Sequence, residues 1–236
     1  MYALEMSRVT KRYGRRDALQ NFDLRVPQGV AVGLLGPNGA GKTTALRLLL
    51  GFARPTSGTV AVRGQETRSV TSRVGVGYLP ERLRLPARMT IAKLLQLHAR
   101  LAGLEGVELA RSVAAVLERT GLAHRANERL GELSKGLLQR AGFAQAMLGT
   151  PELLLLDEPT SGLDPLGIRD ARDWIREHRE RGCTVLVSSH VLSEVERICD
   201  EAVIVNEGRV AAAGSIEALA RPGETLEDAF VRAVRG

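Results

Sequence analysis

Apolar positions fall into distinct textures along this 236-residue chain. Over residues 3–9 and 22–26 they alternate with polar ones, as in half-buried antiparallel strands. Residues 30–35 and 74–79 are apolar runs that read as buried strands, the second ended by Pro80. A turn at 55–58 leads to a short strand at 59–62. From Glu81 to Ala146 the spacing becomes helical. Thr90 is placed to cap a helix with Ile91, Leu94, Leu95, Leu97 and Leu101 on its inner side, and residues 103–106 break it. Residues 107–120 repeat the pattern through Ala110, Val113, Ala114 and Leu117, and a third helix is expected over 135–148. The strand texture then returns. Residues 153–156 suit a parallel sheet, where both faces are covered. Asp164 and Pro165 are a cap and first helical position for a helix running to about residue 179. A strand at 184–188 precedes a helix at 191–199 with Val191, Leu192, Val195 and Ile198 on one face. Residues 202–205 and 209–213 flank a hairpin loop of three residues, Asn206-Glu207-Gly208, and a helix at 225–234 brings Leu226 and Phe230 one turn apart. The pattern is that of an α/β core carrying an inserted helical subdomain at roughly residues 82–148, within one domain spanning 1–236.

Composition narrows the class without naming a chemistry. Hydrophobic residues at 44% and charged residues at 25% are ordinary for a globular protein. The net charge of +6 comes from arginines scattered with no dense block, which reads as a solvated basic surface. Aromatics at 3% leave little for base-stacking platforms, so no nucleic-acid partner is expected. Cys183 and Cys199 have neither metal-ligand nor disulfide-framework spacing and are expected as reduced core thiols. No signal pattern opens the chain, and no apolar run approaches the roughly 20 residues of a membrane span. The chain is expected not to cross a membrane by itself.

The chemistry concentrates at Gly36-Pro37-Asn38-Gly39-Ala40-Gly41-Lys42-Thr43. This fits G-x-x-x-x-G-K-[ST] in the required context of strand, loop and helix. Glycines let the chain wrap an anion without Cβ clashes, while backbone N–H groups and the positive helix end face the phosphates. Lys42 would reach the β- and γ-phosphates and the Thr43 hydroxyl would hold Mg²⁺. A second station follows the buried run at 153–156. Asp157 ends that strand, placed to bind the same ion, and Glu158, pointing the other way, could deprotonate an attacking water.

Together with Leu133-Ser134-Lys135-Gly136, these stations resemble the ATP-binding-cassette (ABC) ATPases, in the family's order and over nearly the whole chain. The resemblance implies a phosphate-loop NTPase core with a mostly parallel sheet, an N-terminal antiparallel β region and the inserted helical subdomain. It implies ATP and Mg²⁺ as ligands, with Thr44 joining residues 36–43 around the nucleotide. Tyr13 matches the aromatic that stacks on adenine. Residues 133–140 match the signature L-S-G-G-Q-x-Q-R, with Lys135 replacing a Gly and Leu137 the first Gln, while Ser134, Gly136, Gln139 and Arg140 are retained. Ser134 caps a helix whose N-terminus faces a phosphate, in this family the one held by the opposite subunit. Residues 161–164 match the loop that couples the two sites, and His190 the switch histidine that contacts the γ-phosphate. Where the family has a Gln touching Mg²⁺ and the attacking water, this chain has Glu81. That variant and the Ser-Lys-Gly signature are similar to the branch exporting drugs, antibiotics or polysaccharides.

The resemblance further implies an ATP-hydrolysing subunit on the cytoplasmic face of a membrane, powering a separate integral permease. It would pair head-to-tail with a second copy of itself or a related ATPase subunit. The alternative is a soluble cassette ATPase of DNA repair, translation or cluster assembly. DNA-repair members carry a long coiled coil before the signature, and no sustained heptads occur between Lys42 and Leu133. Ribosome-acting members usually carry two cassettes in one chain. A scaffold without turnover is disfavoured by the presence of Glu158 and His190.

Overall fold

The computed structural model describes residues 1–221 and 223–235. In chain order the strands and helices are β1 (Tyr2–Tyr13), β2 (Arg16–Pro27), β3 (Ala31–Leu35), α1 (Lys42–Leu49), β4 (Ser57–Val62), β5 (Gln65–Glu66) and β6 (Val76–Leu79). Then follow α2 (Ile91–Leu101), α3 (Gly106–Arg119), α4 (Lys135–Ala146), β7 (Leu153–Asp157) and α5 (Pro165–Glu180). The chain closes with β8 (Thr184–Ser189), α6 (Leu192–Ile198), β9 (Glu201–Asn206), β10 (Arg209–Ser215), α7 (Ile216–Leu219) and α8 (Leu226–Arg235). These form two compact units, one of Met1–Val74 with Arg179–Gly236 and one of Gly75–His178.

The first unit holds an antiparallel sheet in the order β2-β1-β4-β5 and a second set of strands built around β3. Strand β3 pairs in parallel with β8 and β9, and β10 runs antiparallel on β9. Every residue of β3 and of β8 is buried, as expected of parallel strands covered on both faces. In β1, by contrast, the alternation breaks at a bulge where Arg8 takes φ 48°, and its N–H donates to Asp23 Oδ1 at 2.9 Å. The β9–β10 loop has two residues rather than the expected three. Asn206 pairs with Arg209, leaving Glu207 (φ 48°) and Gly208 (φ 76°) as the turn. Positive φ at both central positions is what matches the strand twist in such tight hairpins. At the chain's end Thr225 and Asp228 cap α8 reciprocally. Thr225 N–H donates to Asp228 Oδ2 at 2.9 Å and Asp228 N–H donates to Thr225 Oγ1 at 3.2 Å. The Thr225 N–H bond, joined by one from the Thr225 hydroxyl at 2.8 Å, stabilises the ionised form and holds the Asp228 carboxyl below its ordinary range.

The second unit takes in the parallel pair β6–β7 together with α2, α3, α4 and most of α5. Thr90 does cap α2, its Oγ1 accepting from Lys93 N–H at 3.3 Å, but the inner face differs from expectation. Ile91, Leu94, Leu95 and Ala99 form the buried stripe, while Leu97 and Leu101 are exposed.

 Ala99 closes that stripe, one turn beyond Leu95, in the i, i+3, i+4, i+8 spacing of an apolar helix face. Leu97 lies off its edge, and Leu101 ends the helix past its last buried residue. In α3 the buried face is Val113, Val116 and Leu117, whereas Ala110 and Ala114 are exposed. Nothing in α3 before Val113 is buried, so small residues there have no core to face. A similar shift occurs in α6 of the first unit. Val195 and Ile198 are buried as expected, but Glu194 joins them while Val191 is exposed and precedes the helix.

The centre of the second unit is Phe143 of α4, 1% exposed, packed edge-on against Trp174 of α5 with ring centroids 5.1 Å apart. Phe143→Ala is therefore expected to destabilise this unit by about 3–5 kcal/mol. Trp174 is the sole tryptophan, so its fluorescence during denaturant unfolding reads that loss directly. A shift of less than about 1 kcal/mol would contradict the assignment of this pair to the core.

Candidate active site

The loop between β3 and α1 forms a closed cradle. Ala40 N–H donates to Pro37 O at 3.1 Å, folding Pro37, Asn38 and Gly39 into an exposed turn. From outside, Gly208 N–H donates to Ala40 O at 2.9 Å, and Arg16 Nη2 reaches Gly39 O at 3.3 Å. Two glycines are required by the geometry. Gly41 has φ 115°, and a Cβ there would lie 2.7 Å from Ala18 O, while one at Gly36 would lie 2.4 Å from Val205 O. Helix α1 has no side-chain cap at Gly41, and Ala45 N–H, bonded to Gly41 O at 2.9 Å, is the first to turn back on the loop. The N–H groups of Lys42, Thr43 and Thr44 precede that bond, at the positive end of the helix. Lys42 is only 7% exposed, and its Nζ donates to Gly36 O at 2.6 Å and Pro37 O at 3.3 Å. A desolvated ammonium, a helix N-terminus and backbone too close for side chains fit an anion of phosphate size and chemistry.

Two more predicted residues belong to this unit. Parallel pairing of β3 with β8 sets Leu35 opposite Ser189, so His190 leaves the sheet level with Gly36. Val191 N–H donates to Ser189 Oγ at 3.0 Å, turning the chain there, and His190 is exposed. Tyr13 ends β1 with 46% exposure, and Lys11 Nζ stands 4.7 Å from its ring centroid. Its register partner is Arg16, the residue that reaches Gly39 O, which ties the Tyr13 hairpin to the phosphate-loop cradle. Nothing in the sequence pattern singled out Arg16.

The remaining predicted residues belong to the second unit. Pairing of Leu79 with Leu156 brings Pro80-Glu81 and Asp157-Glu158 off the same edge of β6–β7. Asp157 is buried, Glu158 half-buried and Glu81 exposed. Glu158 takes φ 51°, and Ser161 N–H donates to its carbonyl at 3.1 Å, so the chain turns sharply after the strand. Ser134 caps α4 as expected, its Oγ accepting from Leu137 N–H at 3.3 Å. That helix end lies beside the turn after β7. A Cβ on Gly136 would sit 3.7 Å from Gly162 O, and the stem of Lys135 crosses Gly162. Gln139 Nε2 donates to Pro159 O at 2.8 Å, a contact that the spacing of the chain did not foretell. Asp164 Oδ1 accepts from Gly167 N–H at 2.7 Å, the cap foreseen for α5.

A glycine cradle opening a helix, followed later in the chain by a buried strand ending in Asp-Glu, defines a phosphate-loop nucleotide-binding protein. The family model described as ABC transporter matches residues 19–161. The uncharacterised ABC transporter ATP-binding protein YxlF of Bacillus subtilis is 38% identical over 94% of this chain and 74% of its own length. The bacitracin transport ATP-binding protein BcrA of Bacillus licheniformis is 39% identical over 86% of this chain and 66% of its own length. The Nod factor export ATP-binding protein I of Burkholderia orbicola is 37% identical, over 92% and 72%. Among solved structures, an ATP-binding subunit of an ABC transporter superposes with a TM-score of 0.92 at 31% identity, covering 98% of this chain and 99% of that one. The chain belongs to the ATP-binding subunits of ABC transporters, which bind and hydrolyse ATP.

Proposed function

We propose that this subunit drives export through a separate membrane permease, opening and closing as an ATP-dependent pair, with residues 1–236 acting as one cassette domain. Export is supported by the relative named for Nod factor export, and transport also by the one named for bacitracin transport. Work with a permease is supported by cbiO1 of Clostridium perfringens, part of the cbiONQ transporter complex, which superposes with a TM-score of 0.78 at 26% identity, covering 91% of this chain and 88% of that one. No helix among the described residues is long and apolar enough to span a membrane. The subunit is assigned to the cytoplasmic face of the membrane, held there by its permease, as the resemblance implies. The relatives above are named as transporter proteins, and no observation favours the DNA-repair, translation or cluster-assembly alternative.

The observation that carries the catalytic reading is the buried Lys42 ammonium inside the glycine cradle. Lys42 and the N–H groups of Gly39, Gly41, Thr43 and Thr44 neutralise and orient the β- and γ-phosphates as Gly36, Pro37, Asn38 and Ala40 shape the loop. Tyr13 offers a ring face to adenine. The Thr43 hydroxyl, the Asp157 carboxylate and Glu81 are the assigned Mg²⁺ ligands, and the ion when bound polarises the phosphoryl oxygens and offsets developing charge. Glu158 takes the proton of the attacking water. His190 contacts the γ-phosphate, so its imidazole distinguishes ATP from ADP. Ser134 and Gly136, at the N-terminus of α4, receive the γ-phosphate of the partner copy's nucleotide.

Affinity purification of the tagged chain from its native membranes tests the transport assignment. A polytopic membrane protein is expected to co-purify after mild cross-linking. Recovery with ribosomes or DNA, and with no membrane protein, would contradict it.

A further inference from the structure

We propose that Gln139 is a positioning residue for Glu158, fixing through one buried hydrogen bond the turn that aims the carboxylate; this rests on the general-base assignment above. Glu158 has φ 51°, a left-handed conformation that costs a residue bearing Cβ and persists only where the surroundings over-determine it. Within the turn, Ser161 N–H donates to Glu158 O at 3.1 Å and Leu163 N–H to Thr160 O at 3.3 Å. Pro159 has no N–H to give. Its carbonyl is gripped instead from α4, by Gln139 Nε2 at 2.8 Å. Gln139 is 4% exposed, and only its NH₂ group can serve a carbonyl acceptor, which sets the orientation of the amide. Loss of that donor would leave a buried carbonyl in need of a partner.

The next residue fixes the rotation of α4. Arg140 Nη2 pairs with Asp170 Oδ2 on α5 at 2.6 Å, its Nη1 donates to Thr120 O at 3.2 Å, and its guanidinium lies 5.5 Å from the Trp174 ring centroid. With Arg140 anchored to the helix that follows the turn and Gln139 to the turn itself, α4 braces the segment holding Glu158 at two points. A displacement of the Ser134 end of α4 is thereby passed to the backbone of Glu158 within the same chain. Gln139 touches neither nucleotide nor water in this account, so its effect should run through Glu158 alone.

A double-mutant cycle separates that role from ordinary stabilisation. In the full chain, Gln139→Met removes the donor at similar volume and is expected to lower kcat roughly tenfold to a hundredfold, the scale of a misplaced catalytic group, with KM for ATP unchanged. In the Glu158→Gln background the same change should alter the residual single-turnover rate less than about twofold, because groups acting as a unit are non-additive. Equal factors in both backgrounds, or an unchanged kcat for Gln139→Met alone, would overturn the proposal. Retained turnover in Glu158→Gln alone would instead remove the base assignment, and the two failures are thus distinct. Gln139→Glu guards against misfolding of the Met variant, since it keeps the shape and can donate to Pro159 O only when protonated. Burial raises a carboxyl pKa, so its turnover relative to the parent should recover between about pH 8 and pH 6; parallel pH profiles would overturn the proposal.

Discussion

Glu158→Gln is expected to cut ATP turnover by about 10²–10⁴-fold, the usual contribution of a positioned base. The substitution keeps size and hydrogen-bonding shape, so the left-handed turn at this position (φ 51°) meets no new bulk. It removes the negative charge and with it the ability to take a proton near neutral pH. ATP binding should survive, since Lys42, Thr43 and Asp157 are untouched. A phosphate-release assay paired with equilibrium nucleotide binding distinguishes the two roles open to this carboxylate. If Glu158 mainly held Mg²⁺, Mg-ATP affinity would fall along with turnover. Glu81 leaves the same edge of β6–β7 through the Leu79–Leu156 pairing, and a second carboxylate there can partly substitute. Changing both Glu81 and Glu158 to Gln addresses that point. Substantial turnover in the double variant would remove both from the role of base.

Lys42→Ala is expected to weaken nucleotide binding roughly ten- to a hundredfold, the equivalent of about 1.5–3 kcal/mol for a lost charge-assisted hydrogen bond. The ammonium is buried and already desolvated, its donors directed to Gly36 O at 2.6 Å and Pro37 O at 3.3 Å. A phosphate entering the cradle therefore meets a cation already largely removed from water, which strengthens the attraction relative to a surface lysine. Arginine is a poor replacement, because its planar fork cannot occupy the space of a compact ammonium. Titration calorimetry with ATP measures the effect, and an unchanged dissociation constant together with unchanged turnover would contradict the assignment of this loop.

The elements read most securely from sequence were those whose signal is local. Gly36–Thr43 combines a fixed spacing with a buried strand before it, and the Asp164-Pro165 cap was legible because its bond to Gly167 N–H spans three residues. The faces of α2, α3 and α6 were less legible, since burial depends on which neighbours cover a helix. Leu101 and Ala110 had the right spacing and no cover. Glu207 and Glu158 both take positive φ without the Gly or Asn that usually announces it, so the sequence suggests a hairpin loop one residue longer than the fold has. The Gln139–Pro159 bond joins residues 20 apart, and only tertiary packing makes it. At Tyr13 and His190 the sequence supplied the residues through their place in an ordered motif set. The β1–β2 and β3–β8 registers supply their neighbours.

ATP is expected to close two cassettes upon each other and hydrolysis to release them. Light-scattering mass measurement of the Glu158→Gln variant tests it most directly, because the step that would open the pair is blocked while nucleotide binding is retained. With saturating Mg-ATP the account predicts twice the 25.5 kDa of one chain, reverting to the single-chain mass when Lys42→Ala is added. A mass of one chain under those conditions, with ATP demonstrably bound, would contradict closure between copies of this subunit.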